Sequence, residues 1–377
     1  MTKYLVAESV GKGHPDKICD QIADAILDQC LAQDRYSHVA CEVMASNRLI
    51  VVGGEITTTA NYNVEQAVWT VLLPLGYKKG DFTIINNIHQ QSPEINAKVS
   101  KEGGLFGAGD QGITYGYATN ETANYLPIQV NIANRIMQHL ETLRLNAKIL
   151  YLKADMKTMV ELSVTDKEIA VKRIILAIQH EVFQNVILKQ TWKEQIKTSV
   201  AKLIQDEFQI PCQPSHIYVN MGGDFVLGGP IADTGLTGRK LECDSYCGAT
   251  AHGGGAFSGK DYTKVDRTGA YLARYVAKNL VYNKLCDKCQ IGFVWEIGSP
   301  TPDLVLIDCF NTNKKPIDEI RKIIYKNFWD LNINQIVWML GLDRPIYLGT
   351  SCYGHFTNQE APWEHTFKFE EASHSAK

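Results

Sequence analysis

The run His252-Gly-Gly-Gly-Ala-Phe-Ser-Gly259-Lys260-Asp261, continuing through Lys264, Asp266 and Arg267 into a helical pattern that reaches about Tyr282, constrains this chain more than any other stretch. Glycines let backbone N–H groups crowd an anion because no Cβ blocks the approach. A helix start adds oriented donors and the positive end of a dipole. Lys260 and Lys264 are four apart, so in a helical turn their ammonium groups share a face. A carboxylate such as Asp266 belongs beside an anion only if a metal stands between them. The stretch therefore reads as half of a polyphosphate–metal site. Gly254 to Lys260 also fits G-x-x-x-x-G-K, but Asp261 stands where a P-loop needs Ser or Thr, and Cys247 to Ala251 is too short and polar for its leading strand. The bland alternative is a glycine-rich turn capping a surface helix.

Other stretches supply matching chemistry. Gly13-His14-Pro15-Asp16 opens a helix with the apolar stripe Ile18, Ile22, Ile26 and Leu31. Asp20, Asp24 and Asp28 continue the four-residue spacing of Asp16, and a solvated face is the expected reading of those three. Asp16 differs by sitting at the helix mouth beside His14. Val39–Ala45 and Leu49–Ile56 alternate like a hairpin that carries Glu42 and Glu55. Residues 63–73 read as a helix and 82–88 as a strand. Gln91 to Phe106 has the composition of a lid or an ordinary loop. Asn120-Glu121-Thr122 is expected to cap a helix to Leu143, and Asp155-Met156-Lys157 to turn between strands 149–152 and 159–164. A strand over 170–180 and a helix over 186–203 follow. Residues 224–240 form a second dense loop with Asp224, Asp233, Arg239 and Lys240. Three similar α+β units with mixed or antiparallel sheets and helices on one face are predicted, over 1–100, 105–226 and 228–365.

Composition narrows the partners. With 377 residues the chain is long enough for several cores, and a formal net charge of −3 argues against a general nucleic-acid binder. The N-terminus lacks a secretory signal, and no apolar run approaches membrane-spanning length. Ten cysteines then suggest reduced thiols in the cytoplasm. Cys286-x-x-Cys289 with Cys243-x-x-x-Cys247 could make a zinc site, although the pairs lie further apart than is usual.

The segments GHPDKICDQIADAILD, GGEITT, GAGDQGITYGYATNET, GGPIADTGLTGRK, GGGAFSGKDYTKVDRTGAYLARYVAKNLV and YGHF resemble the S-adenosylmethionine synthetase family from Gly13 to about Phe356. The resemblance implies that fold. It also implies attack of methionine sulfur on C5′ of ATP, loss of the whole triphosphate, and hydrolysis of that triphosphate to pyrophosphate and phosphate. It places His14 against the leaving oxygen, with His14, Arg239, Lys260 and Lys264 catalytic. Lys157, Arg239, Lys240, Lys260 and Lys264 would bind phosphates, and Asp155, Met156, Asp224, Phe225, Asp233 and Ala256 would complete the ATP site. Glu55, Gln91, Asp110, Asp233 and Lys264 would meet methionine. Asp16 and Asp266 would hold Mg²⁺, two ions per site, and Glu42 would hold K⁺. The family's sites lie between subunits of a homodimer, often paired into a tetramer, with no nucleic acid and no membrane involved. The chain departs from the family pattern at Gly11-Lys12 (usually Ser-Glu), Ala154 (usually Pro), Tyr262 (commonly Pro or Ser) and over 328–350. An ATP-dependent phosphotransferase or ATPase, or a catalytically silent nucleotide-binding subunit, would use the same charges.

Overall fold

A computed structural model describes residues 2–90, 105–165 and 168–369. Its strands are β1 (Lys3–Val10), β2 (His38–Ser46), β3 (Leu49–Thr57), β4 (Thr83–His89), β5 (Gly112–Thr119), β6 (Leu152–Val164), β7 (Ile169–His180), β8 (Ile217–Val219), β9 (Gly235–Leu236), β10 (Lys288–Trp295) and β11 (Leu304–Asp308). The helices are α1 (Pro15–Leu31), α2 (Val64–Leu72), α3 (Ile128–Leu145), α4 (Val186–Phe208), α5 (Leu241–Asp244), α6 (Val265–Tyr282), α7 (Ile317–Asn327) and α8 (Ile333–Leu340). This is an α+β fold, and none of these helices is long and apolar enough to cross a membrane.

Among the described residues three sheets form, ordered β1-β6-β7-β8, β11-β10-β5 and β4-β3-β2-β9. Each takes an edge strand from another part of the chain. β1 joins the sheet of β6 and β7, β5 joins that of β10 and β11, and β9 joins that of β2 and β3. The β2–β3 hairpin turns at Asn47, whose φ of 53° an asparagine tolerates. Val39, Cys41, Val43 and Ala45 bury one of its faces, and Glu42 lies exposed on the other.

Two expected turns differ. Asp155, Met156 and Lys157 do not separate two strands; they lie inside β6, whose hairpin partner is β7. Charged residues there suggested a turn, but β6 only shifts register between Leu152 and Met156, and Met156 is fully buried. The helix expected from Asn120 starts instead at Ile128. Thr122, Asn124 and Asn131 hydrogen-bond to one another, and Pro127 disfavours helical geometry in the residue before it.

The acidic row of α1 is the largest correction. Asp20 and Asp24 are fully buried, not solvated. Asp16 accepts from the Leu236 N–H at 3.0 Å, Asp20 from Gly238 at 2.8 Å and Asp24 from Gly259 at 2.8 Å. Asp28 accepts from Leu348 at 2.9 Å, and burial pushes its carboxyl up to about 6. Asp24 also takes both ends of the buried Arg267 guanidinium, at 2.7 and 2.8 Å. Buried carboxylates persist only when paired and hydrogen-bonded, and the loops supply those partners.

α6 is buried along nearly its whole length and packs against β5 and β10. Its Arg274 binds Glu364 through two nitrogens at 2.8 Å and donates to the carbonyls of Tyr117, Asn124 and Tyr125. The Gly354-His355-Phe356 stretch is likewise core, with the His355 Nδ1 2.7 Å from the Tyr271 hydroxyl.

Candidate active site

At the mouth of α1 the chain gathers charge. His14 is the N-cap, and its Nδ1 accepts from the Asp16 N–H at 3.2 Å, which leaves the other nitrogen, Nε2, to carry the proton. Burial, followed by the nearby Lys240, holds the imidazole down at about 4, so it is neutral at pH 7. Asp16 would be raised by its own burial, yet the Lys240 ammonium at 2.5 Å and the Leu236 N–H hold its carboxyl below the usual range. The Arg239 Nε stands 3.9 Å from the same carboxylate. Lys157 and Asp233 also act on His14 electrostatically, and Lys157 itself pairs with Glu8 at 2.8 Å. Asp155 accepts from the Gly229 N–H at 2.7 Å, and burial pushes its carboxyl up to about 6. Glycine is required at 13 and 11 because an added Cβ would come within 2.4 Å and 2.9 Å of the Ala154 backbone. Ala154 is the position where the resemblance led one to expect proline.

A second group lies on the glycine-rich run. Lys260 reaches Asp266 at 2.5 Å, and Lys264 reaches Asp261 at 2.5 Å. Residues 260–264 are not helical, so the shared face expected of the two lysines is replaced by two separate ion pairs. Asp261 is fully buried and also accepts from the N–H groups of Val39 and Thr263. It clamps the run onto β2, a role a P-loop Ser or Thr does not have. A Cβ on Gly255 would meet the Asp266 carboxylate at 2.2 Å, and one on Gly238 would meet Ala256 at 2.5 Å. The run thus abuts both Asp266 and the Arg239 loop. Gly109 donates to the Thr263 carbonyl at 3.0 Å, which ties the backbone just before Asp110 to the backbone just before Lys264.

Among the described residues, no hydrogen bond or ion pair joins the His14 group to the Lys260 group. Their anchors on α1, Asp16 and Asp24, are separated by about 12 Å of helix at 1.5 Å per residue. The remaining candidates are spread further. Glu55 lies 3.3 Å from His89, and the Glu42 side chain has no hydrogen bond or ion pair among the described residues. Phe225 is placed by donation from its N–H to His180 at 3.1 Å, and the half-exposed Asp224 pairs with Lys189. Met156 is core and can offer a ligand only its backbone. Gln91 lies outside the described residues, as does the expected lid up to residue 104. Cys243 and Cys247 direct their thiols to Glu8, so the four-cysteine zinc arrangement does not form. Sequence reasoning missed the supporting role of Asp20, Asp24 and Arg267. The unbroken four-residue spacing in α1 was the available signal.

Neutral imidazole, clustered ammonium groups and carboxylates on glycine-lined loops define an enzyme suited to a polyphosphate and a hard cation. Comparison with known proteins narrows this. Residues 2–93, 105–225 and 227–365 match the N-terminal, central and C-terminal domains of S-adenosylmethionine synthetase. The S-adenosylmethionine synthase of Mycoplasma genitalium is 44% identical over 96% of this chain and 93% of its own length. That of Mycoplasmopsis pulmonis is 44% identical over 97% and 96%, and that of Treponema denticola 40% over 97% of each. The chain belongs to the S-adenosylmethionine synthetase family, and with it to the methionine adenosyltransferases.

Proposed function

We propose that the chain makes S-adenosylmethionine by attack of L-methionine sulfur on C5′ of ATP. The triphosphate leaves whole and is then hydrolysed to pyrophosphate and phosphate. The observation that carries this reading is the neutral His14 held at a helix mouth near Lys157 and Lys240, with Arg239 beside the neighbouring Asp16. A sulfonium forms while negative charge gathers on O5′ and the triphosphate. Groups that meet this charge more strongly in the transition state than in the ground state lower the barrier. The Nε2–H of His14 donates to the departing oxygen. Arg239, Lys240 and Lys157 bind phosphate oxygens on one side, and Lys260 and Lys264 do so on the other. Asp155, Phe225 and Ala256 line the adenosine side, with Asp110, Glu55 and Asp233 toward methionine.

The donor set fits hard cations. Asp16 and Asp266 each hold a lysine ammonium at 2.5 Å, a positive charge standing where a metal charge would. These two carboxylates would hold Mg²⁺, and the unpaired Glu42 would hold K⁺. Bound there, the ions would neutralise phosphate charge.

Because no hydrogen bond or ion pair among the described residues joins the two groups, the reading puts the working site between two copies, as a homodimer or a pair of dimers. The test is to incubate purified protein with ATP, Mg²⁺ and K⁺, with and without methionine, and to identify products by mass. The expected products are S-adenosylmethionine, pyrophosphate and phosphate, formed only with methionine. Release of ADP would favour a phosphotransferase, and nucleotide binding without turnover a silent subunit.

A further inference from the structure

Away from the candidate site, the sulfur atoms of Cys286, Cys289 and Cys309 all lie within 4.8 Å of one another, and all three residues are buried. Cys286 sits in the loop after α6, Cys289 on β10, and Cys309 directly after β11. The Gln290–Asp308 pairing of β10 with β11 sets Cys289 and Cys309 side by side. Thr312 ties the two turns together. Its hydroxyl accepts from the Asp287 and Lys288 N–H groups at 3.1 and 3.0 Å and donates to the Cys309 carbonyl at 2.7 Å.

We infer that these three cysteines form a structural site for a thiophilic d¹⁰ cation, Zn²⁺ or Cu⁺. Three thiolates about a metal at 2.3 Å stand roughly 3.8 Å apart, so the triangle needs only a small contraction to close on an ion. Soft thiolates select such ions over Mg²⁺. A disulfide would pair two sulfurs and strand the third, whereas one metal engages all three. Asp266, the hard-cation carboxylate on this helix, lies at the opposite end of α6, whose 18 residues span about 27 Å. The ion therefore acts on the fold, fastening the end of α6 to β10 and β11.

The experiment measures metal in the full-length protein, purified reduced and then offered Zn²⁺ or Cu⁺ and desalted. Elemental analysis should give about one equivalent of one of these ions. Cys309→Ser should reduce this to under about a tenth, whereas Cys247→Ser, outside the triangle, should keep it. Should Cys309→Ser not fold, mercurial titration of the wild-type protein decides instead. Release of the ion in step with three thiols supports the site. Failure of the wild type to retain either ion, retention by Cys309→Ser, or a disulfide between two of the three in freshly purified protein would overturn it. None of these readouts depends on turnover.

Discussion

Position, not a dedicated partner, keeps His14 neutral. Capping the helix commits Nδ1 to the Asp16 N–H, and burial beside Lys240 resists a second proton. Lys260 is the counterpart on the glycine-rich run. Lys260→Ala should lower kcat by about 100-fold or more, the scale of losing one positioned charge-stabilising donor. Thermal melting should be nearly unchanged, since Lys260 is partly exposed. An undiminished rate would remove Lys260 from the site. Asp155 offers a pH test with a definite sign. Burial raises its folded carboxyl from 3.8 to about 6, so the folded state binds the proton more tightly than the unfolded one. The resulting penalty is absent below pH 3.8 and complete above about 6. Asp155→Asn should therefore be neutral to stability near pH 4. Its gain should grow as pH rises to 6 and then level off, with about 3 kcal/mol as the upper bound. Denaturant titrations at pH 4, 5 and 7.5 read this directly, and a gain that shrank with rising pH would refute it.

Among the elements, α1 is the beam to which the functional loops are bolted. Its four acids take N–H groups from the Arg239 loop, the Lys260 run and the segment at Leu348. Asp24→Ala would leave Arg267 charged, buried and unpaired, a loss of about 3–5 kcal/mol. The urea midpoint should fall accordingly, whereas a change below about 1 kcal/mol would mean the pair is not buried in solution. The glycine-rich run tests separately. Gly255→Ala drives a Cβ into the Asp266 carboxylate, so kcat should fall while the melting temperature changes little. Equal activity would show that Asp266 moves freely away.

At the scale of the whole molecule, exchange of edge strands makes the three segments interdependent. Among the described residues each sheet is completed by a strand from elsewhere in the chain, so each segment depends on another for an edge strand. Two copies should likewise complete one another's sites. Inactive His14→Ala and Lys260→Ala proteins, unfolded together and refolded as mixed dimers, should regain roughly a quarter of wild-type activity, because half the dimers carry one intact site. If each chain holds a complete site, mixing restores nothing.

What the sequence alone determined was the local chemistry. Alternation in β2 and β3, the apolar stripe of α1 and the glycine-rich run are short-range patterns, and they fixed the elements, the α+β class and the stretches bearing charge. The three-dimensional structure decided the relationships between them. The same spacing of Asp16, Asp20, Asp24 and Asp28 describes a solvated helix face or a buried spine, and only partners more than 200 residues away select the spine. Lys157 looked like a turn residue until β1 and β7 paired on either side of it. The third cysteine beside Cys286 and Cys289 is Cys309, brought there by strand pairing and not by spacing. Burial and long-range pairing depend on which surfaces meet, and a one-dimensional pattern does not contain that information.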